Sequence, residues 1–318
     1  MKWIKLGKIF DPSNYELNEK VGIYAQSPQA LVYPEFIRIY FSTRFRDNTG
    51  KYVSHVSSVD FDKKLSKILN ISKNEIISIG KRGCFDEHGI FPFNVIRYNK
   101  KIIGYSSGIS RRISVPVETS IGMSLSVDNG NTFKRIGNGP VLSSSKYEPC
   151  MVGDPFVKFY NNNFHMWYIY GEKWATKKMY KNAERIYKIG HARSIDGENW
   201  VKDNIQLLPN KFEMECQALP TVIKINDIYH MWFCYRKAFD FRTNIINSYK
   251  IGYAFSNNLI TWKRRDNQLC INRGKKGDWD FEMQCYPNVF RSDSVIYMLY
   301  NGNQFGRMGF GVAKLEHD

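Results

Sequence analysis

Apolar and aromatic residues recur along this chain in five short runs, and a proline precedes each run. The prolines stand at positions 28, 92, 155, 220 and 287, so the intervals are 64, 63, 65 and 67 residues. In the third copy, Asp154-Pro155 is followed after a turn by the aromatic run Phe164-His165-Met166-Trp167-Tyr168. A near-constant period with strand-like content is typical of a repeat architecture. The pattern therefore predicts an all-β fold, a five-bladed β-propeller with four-stranded antiparallel blades.

The period also predicts the blade limits within a single domain over residues 1–318. We expect blades at roughly 20–75, 85–140, 148–205, 213–270 and 280–318, with the N-terminal segment as a candidate strand to close the last blade. Proline cannot donate to a strand ladder, so the proline-bearing strand should begin each blade and lie innermost. The residues just before each proline should then surround the mouth of the central channel.

Composition changes this picture in one respect, which is charge. The chain has 46 Lys and Arg against 30 Asp and Glu, a net charge of +16. That excess favours an anionic partner such as a sugar phosphate, nucleotide or acidic glycan; the alternative is a compositional bias with solvated lysines. No basic cluster is dense enough for a nucleic-acid stripe, so no nucleic-acid partner is expected.

Several other classes of protein are not expected. The chain contains no run of eighteen apolar residues, so no membrane-spanning helix is expected. The N-terminus has no secretory h-region, which favours a cytoplasmic protein. The six cysteines form no CxxC pair and are expected to be free thiols. No His/Cys cluster has zinc spacing and no phosphate-loop or dinucleotide motif occurs, so neither a metal nor a cofactor is implied. The sequence leaves the oligomeric state open.

Acids precede the prolines of four repeats. They are Asp86 and Glu87 in the second repeat, Asp154 in the third, Glu215 in the fourth and Glu282 in the fifth. Acids that converge on one channel mouth would repel one another, which raises the pKa of some of them. The alternative is that several of them cap turns or pair with nearby arginines.

The phrase Asp154-Pro155-Phe156-Val157-Lys158 with the aromatic run at 164–168 resembles the five-bladed propeller glycosidases, the clan of glycoside hydrolase families 32, 43, 68, 117 and 130. The segment Phe281-Glu282-Met283-Gln284-Cys285-Tyr286-Pro287 is similar to segments of propeller proteins that are encoded with bacterial surface-polysaccharide genes. The resemblance implies catalytic carboxylates at the start of the innermost strands. The first repeat departs from it, since Gln26-Ser27-Pro28 stands where family 43 has an aspartate before proline.

The resemblance and the spacing together give the candidate site. Asp154, Glu215, Glu282 and Asp86 are the candidate catalytic acids, because a pair of carboxylates can cleave or transfer a glycosyl group. His88 is a candidate proton donor because imidazole titrates near neutral pH. Basic residues that follow the second strands would bind an anionic sugar or neutralise the acids. The candidate substrate-binding residues are Arg44, Glu87, His88, Arg111, Lys173, Arg236, Gln26 and Asn303.

The predicted function is a carbohydrate-active propeller of glycosidase or phosphorylase type. Its expected substrate is an anionic, phosphorylated or nucleotide-linked sugar or an oligosaccharide. Because the first repeat lacks its acid, the alternative is a non-catalytic propeller that binds a glycan or nucleotide sugar in polysaccharide biosynthesis. Some propellers of the clan hold a calcium or sodium ion in the channel, and the sequence leaves open whether this protein does.

Overall fold

A computed structural model describes residues 1–15, 23–179 and 182–316 of the chain. In this part of the chain the strands form five four-stranded antiparallel sheets and one two-stranded ribbon. Each four-stranded sheet contains one of the five proline-bearing strands. The five-bladed β-propeller predicted from the repeat is therefore confirmed. The predicted outer limits at residues 20 and 318 lie outside the described residues.

The strands have the following bounds. A first strand, β1 (Lys2–Phe10), precedes a 3-10 helix at Pro12–Asn14. Blade one contains β2 (Gln26–Val32), β3 (Phe36–Ser42), the ribbon strands β4 (Phe45–Arg46) and β5 (Tyr52–Val53), then β6 (Val56–Asp62) and β7 (Ile68–Ile71). Blade two contains β8 (Ile90–Tyr98), β9 (Lys101–Arg111), β10 (Val117–Ser126) and β11 (Lys134–Arg135).

The remaining blades repeat this order. Blade three contains β12 (Val152–Tyr160), β13 (Asn163–Ala175), β14 (Glu184–Ser194) and β15 (Val201–Lys202). Blade four contains β16 (Glu215–Ile225), β17 (Ile228–Lys237), β18 (Lys250–Ser256) and β19 (Lys263–Arg264). Blade five contains β20 (Cys285–Ser292), β21 (Val295–Asn301) and β22 (Phe310–Glu316), with a 3-10 helix at Asn303–Gly306.

Strand β1 closes the ring. It pairs antiparallel with β22, from Lys2 opposite Glu316 to Phe10 opposite Phe310. Blade five therefore takes its outermost strand from the N-terminal end of the chain. Joining the first strand to the last sheet stabilises a ring because the first and last blades can no longer separate without breaking this ladder.

A bulge interrupts the innermost strand of every blade at its proline. The register shifts at this point in each blade. In four blades the residue before the proline has positive φ, namely Ser27 at 52°, Asp154 at 51°, Leu219 at 46° and Tyr286 at 59°. Such a bulge re-aims a side chain out of the regular alternation of the strand. The repeated X-Pro phrase is thus the device that turns selected side chains toward the channel mouth.

Below these bulges, buried amide side chains link neighbouring innermost strands. Asn288 in blade five accepts a 2.9 Å hydrogen bond from the backbone N–H of Ala30 in blade one. Asn94 in blade two accepts one of the same length from the N–H of Val157 in blade three. Gln29 accepts from both amides, at 3.0 and 3.1 Å. Since buried polar groups are costly when unpaired, this belt favours one arrangement of the blades around the axis.

Candidate active site

One cavity lies at the channel mouth, where the bulges and the hairpins between second and third strands meet. Its volume is about 270 Å³. It is slightly smaller than the range of about 300–1,000 Å³ that is usual for ligand pockets, so it suits a ligand of the size of a sugar unit. Three of the residues that precede a repeat proline line it: Phe91, Asp154 and Tyr286. The predicted position of the site at the start of the innermost strands therefore coincides with a real cavity.

Asp154 is the one acidic residue in the cavity lining among the described residues. Burial raises the pKa of its carboxyl group from 3.8 to about 7, although the Arg185 guanidinium and the backbone N–H of Leu219 act in the opposite direction. A carboxyl group with this pKa is partly protonated near neutral pH, as a general acid must be. Its left-handed backbone conformation belongs to the bulge that recurs before the proline, and such a bulge re-aims a side chain, here into the cavity.

Arg44 and Arg185 bring unpaired positive charge to the same cavity. Within the described residues, neither guanidinium has a hydrogen bond or ion pair to an acid, and the Nε atom of Arg44 is buried without a partner. Arg44 instead lies among three aromatic rings, 5.7 Å from the ring centre of Tyr52 and 5.8 Å from that of Phe91. Burial and the nearby Arg185 lower the pKa of Arg44, because both disfavour its charged form. An anionic ligand would offset both the burial of the Arg44 charge and its repulsion by Arg185.

Arg236 forms the inner wall of the cavity and is fixed in place. Its Nε atom donates to the hydroxyl oxygen of Tyr187 at 3.1 Å, and its Nη1 atom donates to the backbone carbonyls of Lys237 and Ala238. The Tyr187 hydroxyl is 2.6 Å from that of Tyr249, and both tyrosines line the cavity. The pKa of Tyr187 is raised to about 12, mainly by burial. Both hydroxyls can therefore act as neutral hydrogen-bond donors.

A fourth arginine, Arg242, stands at the cavity edge. It donates to the Glu184 carboxylate at 2.8 Å and stacks on the ring of Phe241, 4.1 Å from its centre. Even with this ion pair, the lining holds more arginines than acids. Guanidinium groups can bind phosphate and carboxylate oxygens through paired N–H bonds, so the excess of arginines gives the lining this binding chemistry.

Two of the predicted catalytic acids do not reach this cavity. Both oxygens of Glu215 accept hydrogen bonds from Arg264, and both oxygens of Asp86 accept from Arg135. Each pair joins the segment before an innermost strand to the outermost strand of the same blade. Glu215 and Asp86 are therefore held by arginines within their own blades.

The same arrangement recurs in two further blades. Glu148 is bonded to Lys202 on β15 and accepts from the Tyr168 hydroxyl at 2.7 Å. Asp280 accepts from Lys5 on β1 at 2.9 Å. We call these four ion pairs the blade latches: Asp86–Arg135, Glu148–Lys202, Glu215–Arg264 and Asp280–Lys5. All four acids are buried, so each latch compensates a charge that would otherwise be costly.

The other predicted acids also lie outside the cavity lining. Glu282 is exposed, and its backbone N–H donates at 2.8 Å to Asn303, which in turn donates to the carbonyl of Asp278. The Glu87 carboxylate accepts from the backbone N–H of Gly83 at 2.7 Å. Glu282 and Asn303 thus form part of a loop beside the mouth.

The remaining predicted binding residues are placed as follows. His88 accepts a 3.3 Å hydrogen bond from the backbone N–H of Arg111, and burial lowers its pKa. Arg111 is paired with Asp47 at 2.7 Å, and with Glu87 it lines a second cavity on blade two. Lys173 is exposed and 3.9 Å from the carboxylate of Glu172. Buried Gln26 donates to the carbonyl of Phe305, a residue of the main cavity.

The structure also contains site residues that sequence reasoning did not select. Tyr187 and Tyr249 stand at matching positions of the repeated phrase Tyr-Lys-Ile-Gly, and this repetition was a usable signal. Arg185 has no such signal, because it lies near the start of β14, two residues before the repeated phrase. Arg44 and Arg236, which the sequence did suggest, lie in the cavity with Asp154.

Comparison with known proteins agrees with the architecture. No family model matches the chain. Among solved structures, the β-1,2-mannobiose phosphorylase of Listeria innocua aligns with a TM-score of 0.69 at 11% identity, over 99% of this chain and 97% of the other. A thermostable family-43 glycoside hydrolase aligns with a TM-score of 0.68 at 14% identity, over 95% and 93%. The chain therefore has the fold of the five-bladed propeller glycoside hydrolases.

Sequence relatives identify the family more narrowly. The uncharacterized protein Rv1502 of Mycobacterium tuberculosis (strain ATCC 25618 / H37Rv) is 32% identical over 326 residues, covering 100% of both chains. The chain belongs to the family of this mycobacterial protein. A 1,2-beta-oligomannan phosphorylase of Thermoanaerobacter sp. (strain X514) is 29% identical over 138 residues, 42% of this chain and 44% of the relative.

Proposed function

We propose that this protein is a glycosyl-processing enzyme of the phosphorylase type, in which inorganic phosphate cleaves a glycosidic bond. One observation carries the proposal: a single buried acid, Asp154, shares the cavity with Arg44 and Arg185, whose guanidinium groups make no hydrogen bond or ion pair with an acid among the described residues. A hydrolase of the two-carboxylate kind needs a second acid at the reacting carbon. A phosphorylase does not, because phosphate itself is the nucleophile.

The proposed step balances with one acid. A phosphate oxygen bonds to the anomeric carbon while the bond from that carbon to the glycosidic oxygen breaks. The Asp154 carboxyl group gives its proton to the departing oxygen, and a hydroxyl of the phosphate monoanion returns a proton to the carboxylate. Arg44 and Arg185 would hold the phosphate and neutralise its charge. Arg236, held by Tyr187, would orient the sugar or the phosphate.

The relatives support the choice of phosphorolysis. A sequence relative is a 1,2-beta-oligomannan phosphorylase, and a protein of the same fold is a β-1,2-mannobiose phosphorylase. We therefore propose β-linked manno-oligosaccharides as the first substrates to try. A phosphorylated or nucleotide-linked sugar would suit the same arginines and is the next class.

The test is an incubation with β-1,2-linked manno-oligosaccharides, with and without inorganic phosphate, followed by ³¹P NMR. The proposal predicts a sugar 1-phosphate that forms only with phosphate and forms much more slowly with Asp154→Asn. Cleavage at the same rate without phosphate would instead identify a hydrolase and overturn the proposed role of the arginines.

The second candidate function is binding without catalysis. It is favoured by the first repeat, where Gln26 and Ser27 replace an acid, and by the latches that occupy Asp86 and Glu215. A binding protein would be stabilised against heat by a sugar phosphate or nucleotide sugar and would form no product. Thermal stabilisation by such a ligand, together with no product from any of the sugars tested, would favour this alternative.

A further inference from the structure

The hairpins around the cavity carry most of the excess charge of the chain. We call them the mouth hairpins: residues 44–52, 111–117, 173–179 with 182–185, 236–250 and 302–309. They connect the second and third strands of the five blades, so they lie on one face of the ring. They contain fourteen lysines and arginines but three acids, a surplus of eleven out of the sixteen positive charges in excess on the whole chain.

The opposite face differs in charge. Turns between first and second strands and between third and fourth strands lie there, because antiparallel strands alternate in direction. These turns, at 33–35, 63–67, 99–100, 127–133, 161–162, 195–200, 226–227, 257–262 and 293–294, contain four bases and six acids. The positive potential of the molecule is therefore directional.

Every mouth hairpin also presents one exposed apolar side chain. Ile113 is fully exposed, Met179 is 80% exposed and Ile246 is 71% exposed. Tyr52 and Met308 occupy the other two hairpins and are exposed to a smaller degree. Each of the five side chains thus lies in a hairpin that also contains at least one lysine or arginine.

We propose that the mouth face docks on an anionic membrane surface. Lysines and arginines are attracted to the negative head groups, and apolar side chains that protrude among them can enter the boundary between head groups and acyl chains. A soluble polyanion would use the charges but would gain nothing from the highly exposed side chains of Ile113, Met179 and Ile246, so the pattern favours a lipid surface. No helix of the described residues is long and apolar enough to cross a membrane.

The test is co-sedimentation of the full chain with vesicles of phosphatidylcholine alone or mixed with phosphatidylglycerol. Binding is expected with the mixed vesicles and should weaken as salt rises. Replacing exposed Lys177 and Lys178 by glutamine should lower the partition coefficient roughly thirtyfold. The triple variant Ile113→Ser, Met179→Ser, Ile246→Ser should lower it at least about tenfold.

Matched controls come from the opposite face. Val127→Ser with Ile195→Ser removes two equally exposed aliphatic side chains that adjoin Asp128 and Asp196, and Lys64→Gln with Lys100→Gln removes two exposed charges. Both should leave binding unchanged. Three outcomes would overturn the proposal: no binding of the wild type to mixed vesicles, equal losses in the controls, or full binding by the triple serine variant, which would indicate a surface for polyanions only. None of these readouts depends on enzymatic activity.

Discussion

Glu215 accepts two hydrogen bonds from the guanidinium of Arg264, from Nη2 at 2.7 Å and from Nη1 at 3.1 Å. The pair is buried and joins the two edges of blade four. The same kind of latch occurs in blades two, three and five. The four latch acids near the starts of the innermost strands are therefore explained by blade stability, whereas Asp154 is not part of a latch.

The latches make a prediction that separates stability from chemistry. Glu215→Gln removes a carboxylate that compensates the buried charge of Arg264, so the free energy of unfolding should fall by about 3 kcal/mol. Turnover at a temperature where the variant is folded should stay near the wild-type value. Urea denaturation and initial rates measure the two effects, with exposed Glu282→Gln as the control that changes neither. Loss of turnover in a folded Glu215→Gln protein would return Glu215 to the catalytic set.

Asp154 should show the opposite behaviour. Asp154→Asn is close in size but cannot donate a carboxyl proton, so kcat should fall by about 10² to 10⁴. In the wild type, the rate should decline as pH rises through about 7, the pKa of Asp154, because the acid form is lost. A pH–rate profile of kcat, measured beside the amide variant, checks both statements. An Asp154→Asn enzyme with wild-type kcat would contradict the assignment.

The same carboxyl group links stability to pH. Its pKa in the folded state is raised from 3.8 to about 7, so between these values the folded state binds more protons than the unfolded state. The contribution of Asp154 to stability is therefore lost as pH rises through this range. Thermal unfolding of wild type and Asp154→Asn should show a gain in Tm for the variant that is larger at about pH 8 than at about pH 4. A difference that is independent of pH would show that the carboxyl group titrates normally.

The repeat predicted the blades and the position of the mouth, because proline spacing and strand content are local properties of the sequence. It could not tell which acids remain free. The partner of Glu215 is Arg264, 49 residues further along the chain, and nothing in the sequence links the two before the blade is folded. Arg185 was missed for the converse reason: a base that lacks an acidic partner is recognised only in the folded structure.

Arg44 offers a test of the cavity charge itself. Arg44→Met keeps much of the side-chain volume and removes a buried cation that has no acidic partner among the residues described. Without ligand, the free energy of unfolding should stay the same or rise. Stabilisation by phosphate in thermal unfolding should decrease strongly, whereas the exposed neighbour Arg46→Met should behave as the wild type does. A large loss of stability without ligand would show that Arg44 has a structural role.

The tyrosine pair should position Arg236. Tyr187→Phe removes the acceptor of the 3.1 Å hydrogen bond from Arg236 Nε, which frees the guanidinium to move. KM should rise about tenfold with a smaller change in kcat. Tyr253→Phe is a matched control, because its hydroxyl bonds to His230 at 2.7 Å and Tyr253 is absent from the cavity lining. Equal kinetics of the two variants would contradict the positioning role.

The most direct measurement is isothermal titration of the protein with inorganic phosphate. We expect saturable binding at one site, an affinity reduced at least about tenfold in Arg44→Met and in Arg185→Met, and wild-type affinity in Arg46→Met. Absence of phosphate binding by the wild type, or equal affinity in all three variants, would contradict the claim that the arginines at the channel mouth form an anion site.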